Sequence, residues 1–114
     1  MNVIIAGGRE FNNSNILNNV MDNLNWKIDS VVCGMASGAD TLGKEWADSK
    51  GINVIELYAE WDRHGRKAGY IRNEKMAEVG NALVLFWDGK SRGSRNMLKL
   101  AFEYKLKPIL IYLI

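Results

Sequence analysis

Five short apolar runs, separated by amphipathic stretches at helical spacing, constrain this chain more than any other feature. VIIA (3–6), SVVC (30–33), NVIELY (53–58), ALVLFW (82–87) and PILIYL (108–113) read as strands. Between them, 14–25 carries Ile16/Leu17, Val20/Met21 and Leu24, with Asn13 or Ser14 as its cap. The stretch 38–50 carries Ala39, Leu42, Trp46 and Ala47 and stops at Gly51. Helices over 68–79, stopped by Gly80, and 94–106, stopped by Pro108, complete the alternation. Strands that are apolar throughout predict burial on both faces, and strands spaced by helices predict parallel βαβ units. Right-handed crossovers then give a Rossmann-like, doubly wound α/β sheet of about five parallel strands with helices on both faces. Ligands of such sheets sit beyond the carboxyl ends of the strands, where the strand order reverses.

At 114 residues the chain has room for a single domain, spanning 1–114. Its 47% hydrophobic and 25% charged content is that of an ordinary globular protein. The longest apolar run, PILIYLI, is too short to cross a bilayer, and MNVIIAGG lacks the flank and cleavage site of a signal peptide. One cysteine, Cys33, excludes an intramolecular disulfide and a Cys-rich metal site. Together these predict a cytoplasmic protein with no membrane partner, no metal and no cofactor. The net charge of +2 projects no global field towards nucleic acid. Positive charge is concentrated locally: Arg63, Arg66, Lys67, Arg72 and Lys75 against Asp62 and Glu74, then Lys90, Arg92, Arg95 and Lys99 against Asp88.

The strand-to-helix junctions, expected on one edge of the sheet, carry the candidate chemistry. At the first, Gly7 and Gly8 let backbone N–H groups approach an anion and Arg9 adds a charged donor; a tight turn is the alternative. At the second, Gly34, Ser37, Gly38 and Asp40 lie between a strand and a helix N-terminus, an arrangement that receives phosphate. Asp40 reads equally as the end of a Ser37 capping box and as a ribose or phosphate partner. The third junction, 60–70, is long, cationic and aromatic, like a lid over an anion, with Arg66 facing the ligand. Arg63 and Lys67 read as solvated charge, and His64 has no neighbours at metal spacing. Arg72 falls on the apolar stripe of Ala68, Met76 and Val79, where a guanidinium needs a partner or a cleft; snorkelling at the helix edge is the alternative. At the fourth, Gly89, Ser91, Gly93, Ser94 and Arg95 offer N–H, hydroxyl and cationic donors to a phosphate, without the order of a Walker loop. Trp87 stacks on a base or packs under that loop.

In their order, GGREF, GMASGAD, GRKAGYIRNEKMAE and FWDGKSRGSRNM resemble the YspA-related branch of the SLOG superfamily over residues 3–101. That superfamily includes the LOG phosphoribohydrolases, the DprA DNA-processing proteins and nucleotide-sensing domains of bacterial immune systems. The resemblance implies a Rossmannoid pocket for a nucleotide-derived ligand, with the 89–94 loop as phosphate cradle. Arg72, Asn73 and Met76 are similar to the R-K-x-x-M of LOG enzymes, whose arginine lines the active site. Ser94 falls where those enzymes place the Thr of P-G-G-x-G-T-x-x-E. Their catalytic Glu is here Met97, so LOG-type hydrolysis has lost its carboxylate. Arg72, with Glu74 or Asp40 in place of that Glu, is the substitute catalytic set.

The leading expectation is a binder of ADP-ribose, a cyclic ADP-ribose-like signal or a nucleoside monophosphate. Such a binder serves as a sensor or a sequestering sponge in bacterial or phage immune signalling. A phosphoribohydrolase cleaving an N-glycosidic bond is the alternative. Single-stranded DNA binding is a third reading, disfavoured by the small net charge and by the lack of aromatic–basic interleaving outside the lid. SLOG relatives commonly form homodimers, so a homo-oligomer is expected.

Overall fold

Alternation within each strand builds two cores from one sheet. Val3, Ile5, Val31, Cys33, Val84 and Phe86 point to one face, while Ile4, Ala6, Val32, Leu83 and Leu85 point to the other. In a computed structural model describing all residues from Met1 to Ile114, these strands form a five-stranded sheet in the order β3-β2-β1-β4-β5. The strands are β1 (Asn2–Gly7), β2 (Ser30–Cys33), β3 (Asn53–Glu56), β4 (Ala82–Trp87) and β5 (Ile109–Leu113), and every pairing is parallel. The Rossmann-like α/β expectation is met.

Helices α1 (Ser14–Asp22) and α2 (Ala39–Ser49) cover the first face through Leu17, Met21, Trp46 and Ala47. Helices α4 (Ala68–Val79) and α5 (Arg92–Glu103) cover the second through Met76, Ala77, Met97, Leu100 and Ala101. Phe11, from the loop after β1, stacks on Phe86 at 5.0 Å, tying that loop to the end of β4.

Three sequence expectations are corrected. Burial on both faces holds for β1, β2 and β4 but not for the edge strands, where Asn53, Glu56, Ile111 and Leu113 are exposed. The 60–70 junction is not an open loop: it holds a four-residue helix α3 (Trp61–His64) and a 3-10 turn (Gly65–Lys67) leading into α4. Segments of three or four residues are too short to print a helical period. Helix α1 ends three residues early, in an asparagine-rich turn of low helix propensity, and α5 starts two residues early, capped by Ser91, and ends three residues early at Glu103. The choice of cap for α1 resolves to Asn13, whose Oδ1 accepts from the Ile16 N–H at 3.0 Å. No helix is long and apolar enough to cross a membrane.

Candidate functional site

The strand order reverses between β1 and β4, so the crevice predicted for a doubly wound sheet opens between the loops that leave these two strands. A cavity of about 770 Å³ occupies it. Gly7, Gly8, Arg9, Asp40, Arg66, Arg72, Asn73, Ser91, Gly93 and Ser94 all line it, so four separate junctions converge on one space. A second hollow of about 530 Å³ adjoins it and takes Gly34 and Ser37 into its wall.

Arg72 is the centre of the arrangement. It projects from α4 to line both hollows, and its Nη1 donates to the Gly34 carbonyl. That approach explains Gly34: a Cβ there would lie 2.7 Å from the Arg72 guanidinium. Its Nε donates to Asn73 Oδ1 at 3.1 Å, and Asn73 Nδ2 donates to Asn96 Oδ1 at 2.9 Å and to the Gly93 carbonyl at 3.3 Å. Asn73, only 5% exposed, therefore fixes both the arginine and the first turn of α5. Burial lowers the Arg72 pKa, with Asp40 opposing the shift and Arg9 adding to it; a guanidinium nonetheless stays charged.

Asp40 is 5% exposed, and burial pushes its pKa up to about 6 against the opposing pull of Arg72, the Ala36 N–H and Arg9. The capping box with Ser37 does not form. Asp40 Oδ2 instead accepts from the Ala36 N–H at 3.2 Å, while the Ser37 hydroxyl donates to the Arg9 carbonyl at 3.4 Å.

At α5, Ser91 Oγ accepts from the Ser94 N–H at 3.4 Å. Asp88 Oδ1 accepts from the Ser91 and Lys90 N–H groups at 2.8 Å each, and these bonds hold its carboxyl below the usual range. The cradle is thus pre-shaped by its own acid. The first-turn N–H groups of Arg92 and Gly93 have no acceptor within the helix. Ser94, 4% exposed on the cavity floor, has a hydroxyl with no hydrogen-bond partner. None of the ion pairs in the molecule involves Arg9, Arg66 or Arg72.

Other candidates take different roles or lie elsewhere. Gly8 lines the cavity but spends its N–H on the Phe86 carbonyl and its carbonyl on the Ala39 N–H, so the first loop is locked to the sheet and to α2 rather than open to an anion. Gly38 (φ +79°) lies under that loop, where a Cβ would collide with the Gly8 carbonyl. Trp87 packs under its loop and donates from Nε1 to the Ser91 carbonyl at 3.1 Å. Gly89 is at the exposed loop tip and Arg95 is exposed beyond the rim. Glu74 is exposed on the outer side of α4, beside Tyr104. Arg63 and His64 both face Glu60, at 3.6 and 3.8 Å.

Trp61 and Tyr70, which belong to the lid segment, and Met76 and Met97, which were singled out only through the resemblance, also line the cavity. Met97 is buried, and it lines the cavity one helical turn from Ser94. Its helical spacing from Ser94 was the available signal.

The gene 61 protein of Mycobacterium phage D29 is 40% identical over 77 residues, covering 62% of this chain and 62% of the phage protein. The aligned part thus falls short of two thirds of that relative's length. No solved structure matches. The model of the YspA, cpYpsA-related SLOG family matches residues 1–64, more than half of the 114, and the chain belongs to that family.

Proposed function

We propose that the cavity binds a small anionic nucleotide-derived ligand, of the class of ADP-ribose, a cyclic ADP-ribose-like signal or a nucleoside monophosphate, as a sensor or a sequestering protein. One observation carries this reading: Ser94, whose buried hydroxyl has no hydrogen-bond partner, lines a cavity together with Arg9, Arg66 and Arg72, none of which is in an ion pair. A buried hydroxyl left unbonded is costly, and an acceptor oxygen of a ligand would satisfy it together with the free N–H groups of α5. Glu10, Asp40 and Asp88 also line the cavity, but Asp88 is engaged by its own loop and Asp40 by Ala36. That leaves the arginines for phosphate and Asp40 as an acceptor for ribose hydroxyls. A phage-encoded relative fits the sequestering role, within bacterial or phage immune signalling. Mass spectrometry of small molecules released from natively purified, then denatured protein tests the reading directly. A nucleotide panel read by calorimetry follows if the protein is empty; binding by none of the panel would overturn it.

A phosphoribohydrolase is the second reading, favoured by Asp40, whose pKa of about 6 suits a group that exchanges a proton near neutrality. Release of free base from a nucleoside monophosphate, lost in Asp40→Asn and in Arg72→Ala, would establish it. Intact substrate after prolonged incubation with micromolar protein would exclude it for that substrate.

A further inference from the structure

The two hollows are not independent. They meet at a ridge formed by Arg9, Ala36, Trp61 and Arg72, which line both. Arg9 lies over the Trp61 ring at 5.9 Å, a long cation–π contact that a stronger anionic partner displaces. Anionic charge is therefore met on the ridge, where the guanidinium groups of Arg9 and Arg72 line both hollows. The smaller hollow offers something different. Apart from the ridge arginines it has no charged side chain; its far wall is Met35, Ala59 and Tyr58. Tyr58 is 62% exposed and Trp61 50% exposed, and the Tyr58 hydroxyl is tied to Glu56 Oε2 at 3.2 Å. An aromatic ring held in place with an open face, beside a cationic ridge, suits a planar uncharged group. The backbone supports this wall at a cost, because Met35 is held in the left-handed region at φ +60°.

We infer that the ligand is a diphosphate-linked nucleotide lying across the ridge. Its ribosyl end occupies the main cavity, its diphosphate contacts Arg9 and Arg72, and its base stacks on Tyr58 in the adjoining hollow. This rests on the nucleotide reading proposed above and narrows it from nucleotides in general to those with a group on each side of the diphosphate.

Isothermal titration of the full chain with ADP-ribose, AMP and ribose 5-phosphate tests it. ADP-ribose binds at least tenfold more tightly than AMP. Tyr58→Ala weakens ADP-ribose about tenfold and leaves ribose 5-phosphate, which has no base, unchanged; Tyr58→Phe retains wild-type affinity for both. Because Tyr58 is exposed, loss of folding is not expected, and circular dichroism checks it. Equal affinity for AMP and ADP-ribose, or wild-type ADP-ribose binding by Tyr58→Ala, overturns the inference while leaving the nucleotide reading in place. No binding of any of the three by the wild type overturns the inference, and failure of the whole nucleotide panel with it overturns both.

Discussion

Asp40 is a carboxylic acid buried beside a cavity, with a pKa raised to about 6 mainly by desolvation. The sign of its effect on folding follows. Well below pH 4 both folded and unfolded chains hold the proton; between about pH 4 and 6 the unfolded chain releases it first, so stability falls as pH rises, then levels off. The full drop is about 3 kcal/mol, because the folded and unfolded carboxyls titrate roughly two pH units apart. Asp40→Asn keeps an acceptor for the Ala36 N–H and removes the charge. It is expected to be more stable than wild type at pH 7.5 by about 1–3 kcal/mol, with a flatter urea midpoint between pH 4 and 6. A midpoint that tracks wild type across that range would refute the burial argument. Ser94→Ala separates stability from binding in another way. Deleting an unpartnered buried hydroxyl leaves thermal stability unchanged or raises it, while the affinity for a phosphate ligand falls about tenfold, the worth of a hydrogen bond to a charged group. Gly34→Ala pushes the Arg72 side chain aside from Cδ outward rather than moving backbone, so its bond to the Gly34 carbonyl is lost, unfolding costs about 1 kcal/mol and anion affinity falls in calorimetry. Arg72 was legible in the sequence because a guanidinium on an apolar stripe is an anomaly visible at helical spacing. Gly34 was legible only as a loop glycine. Its actual neighbour is 38 positions away, and no local pattern encodes that approach.

Elements were legible where they were long or fully buried. Helix α4 and strand β4 lie where the periodicity puts them, because a twelve-residue helix and a six-residue apolar run each repeat their signal several times. The segment 61–67 gave no such signal and folds into one short helix and one 3-10 turn with no buried residue. Its start rests on Glu60, whose carbonyl accepts from the Arg63 and His64 N–H groups at 3.0 and 2.9 Å. Few buried contacts mean a low local opening energy. Hydrogen exchange followed by mass spectrometry should therefore find the amides of 61–67 exchanging orders of magnitude faster than those of β1 and β4. Trp61 and Arg66 on this segment line the cavity, so a bound ligand slows that exchange selectively. Protection of 61–67 equal to β4 without ligand would mean the segment is as firmly built as the sheet.

For the whole molecule, alternation of strands and helices determines that the sheet is parallel and doubly wound, and so places its crevice on the carboxyl edge of the strands. It does not determine the order of the strands, which depends on which edge of β1 receives β4. Nor does it distinguish a pocket from a track, and here the charge balance supports the pocket proposed above. A net charge of +2, with the unpaired arginines gathered around one concavity, suits a compact ligand carrying a few charges rather than a polyanion. The two cases differ in mass action and in salt. A compact ligand at 100 times its Kd adds about 2.7 kcal/mol to the stability of the folded chain, a rise of roughly 10 °C in Tm for a domain of this size. A small ligand carries no condensed counterion layer, so ordinary screening of two or so charges weakens its affinity only about two- to threefold between 50 and 200 mM and the rise in Tm falls by only a few degrees. A single-stranded DNA track contacting about 6–10 phosphates would lose roughly 300-fold to 10,000-fold over the same range. Thermal melts with ADP-ribose and with an oligonucleotide at both salt concentrations therefore separate the readings. A shift caused by the oligonucleotide alone and abolished at 200 mM would move the binding surface from the crevice to the outer basic face, where Arg92 and Arg95 are exposed.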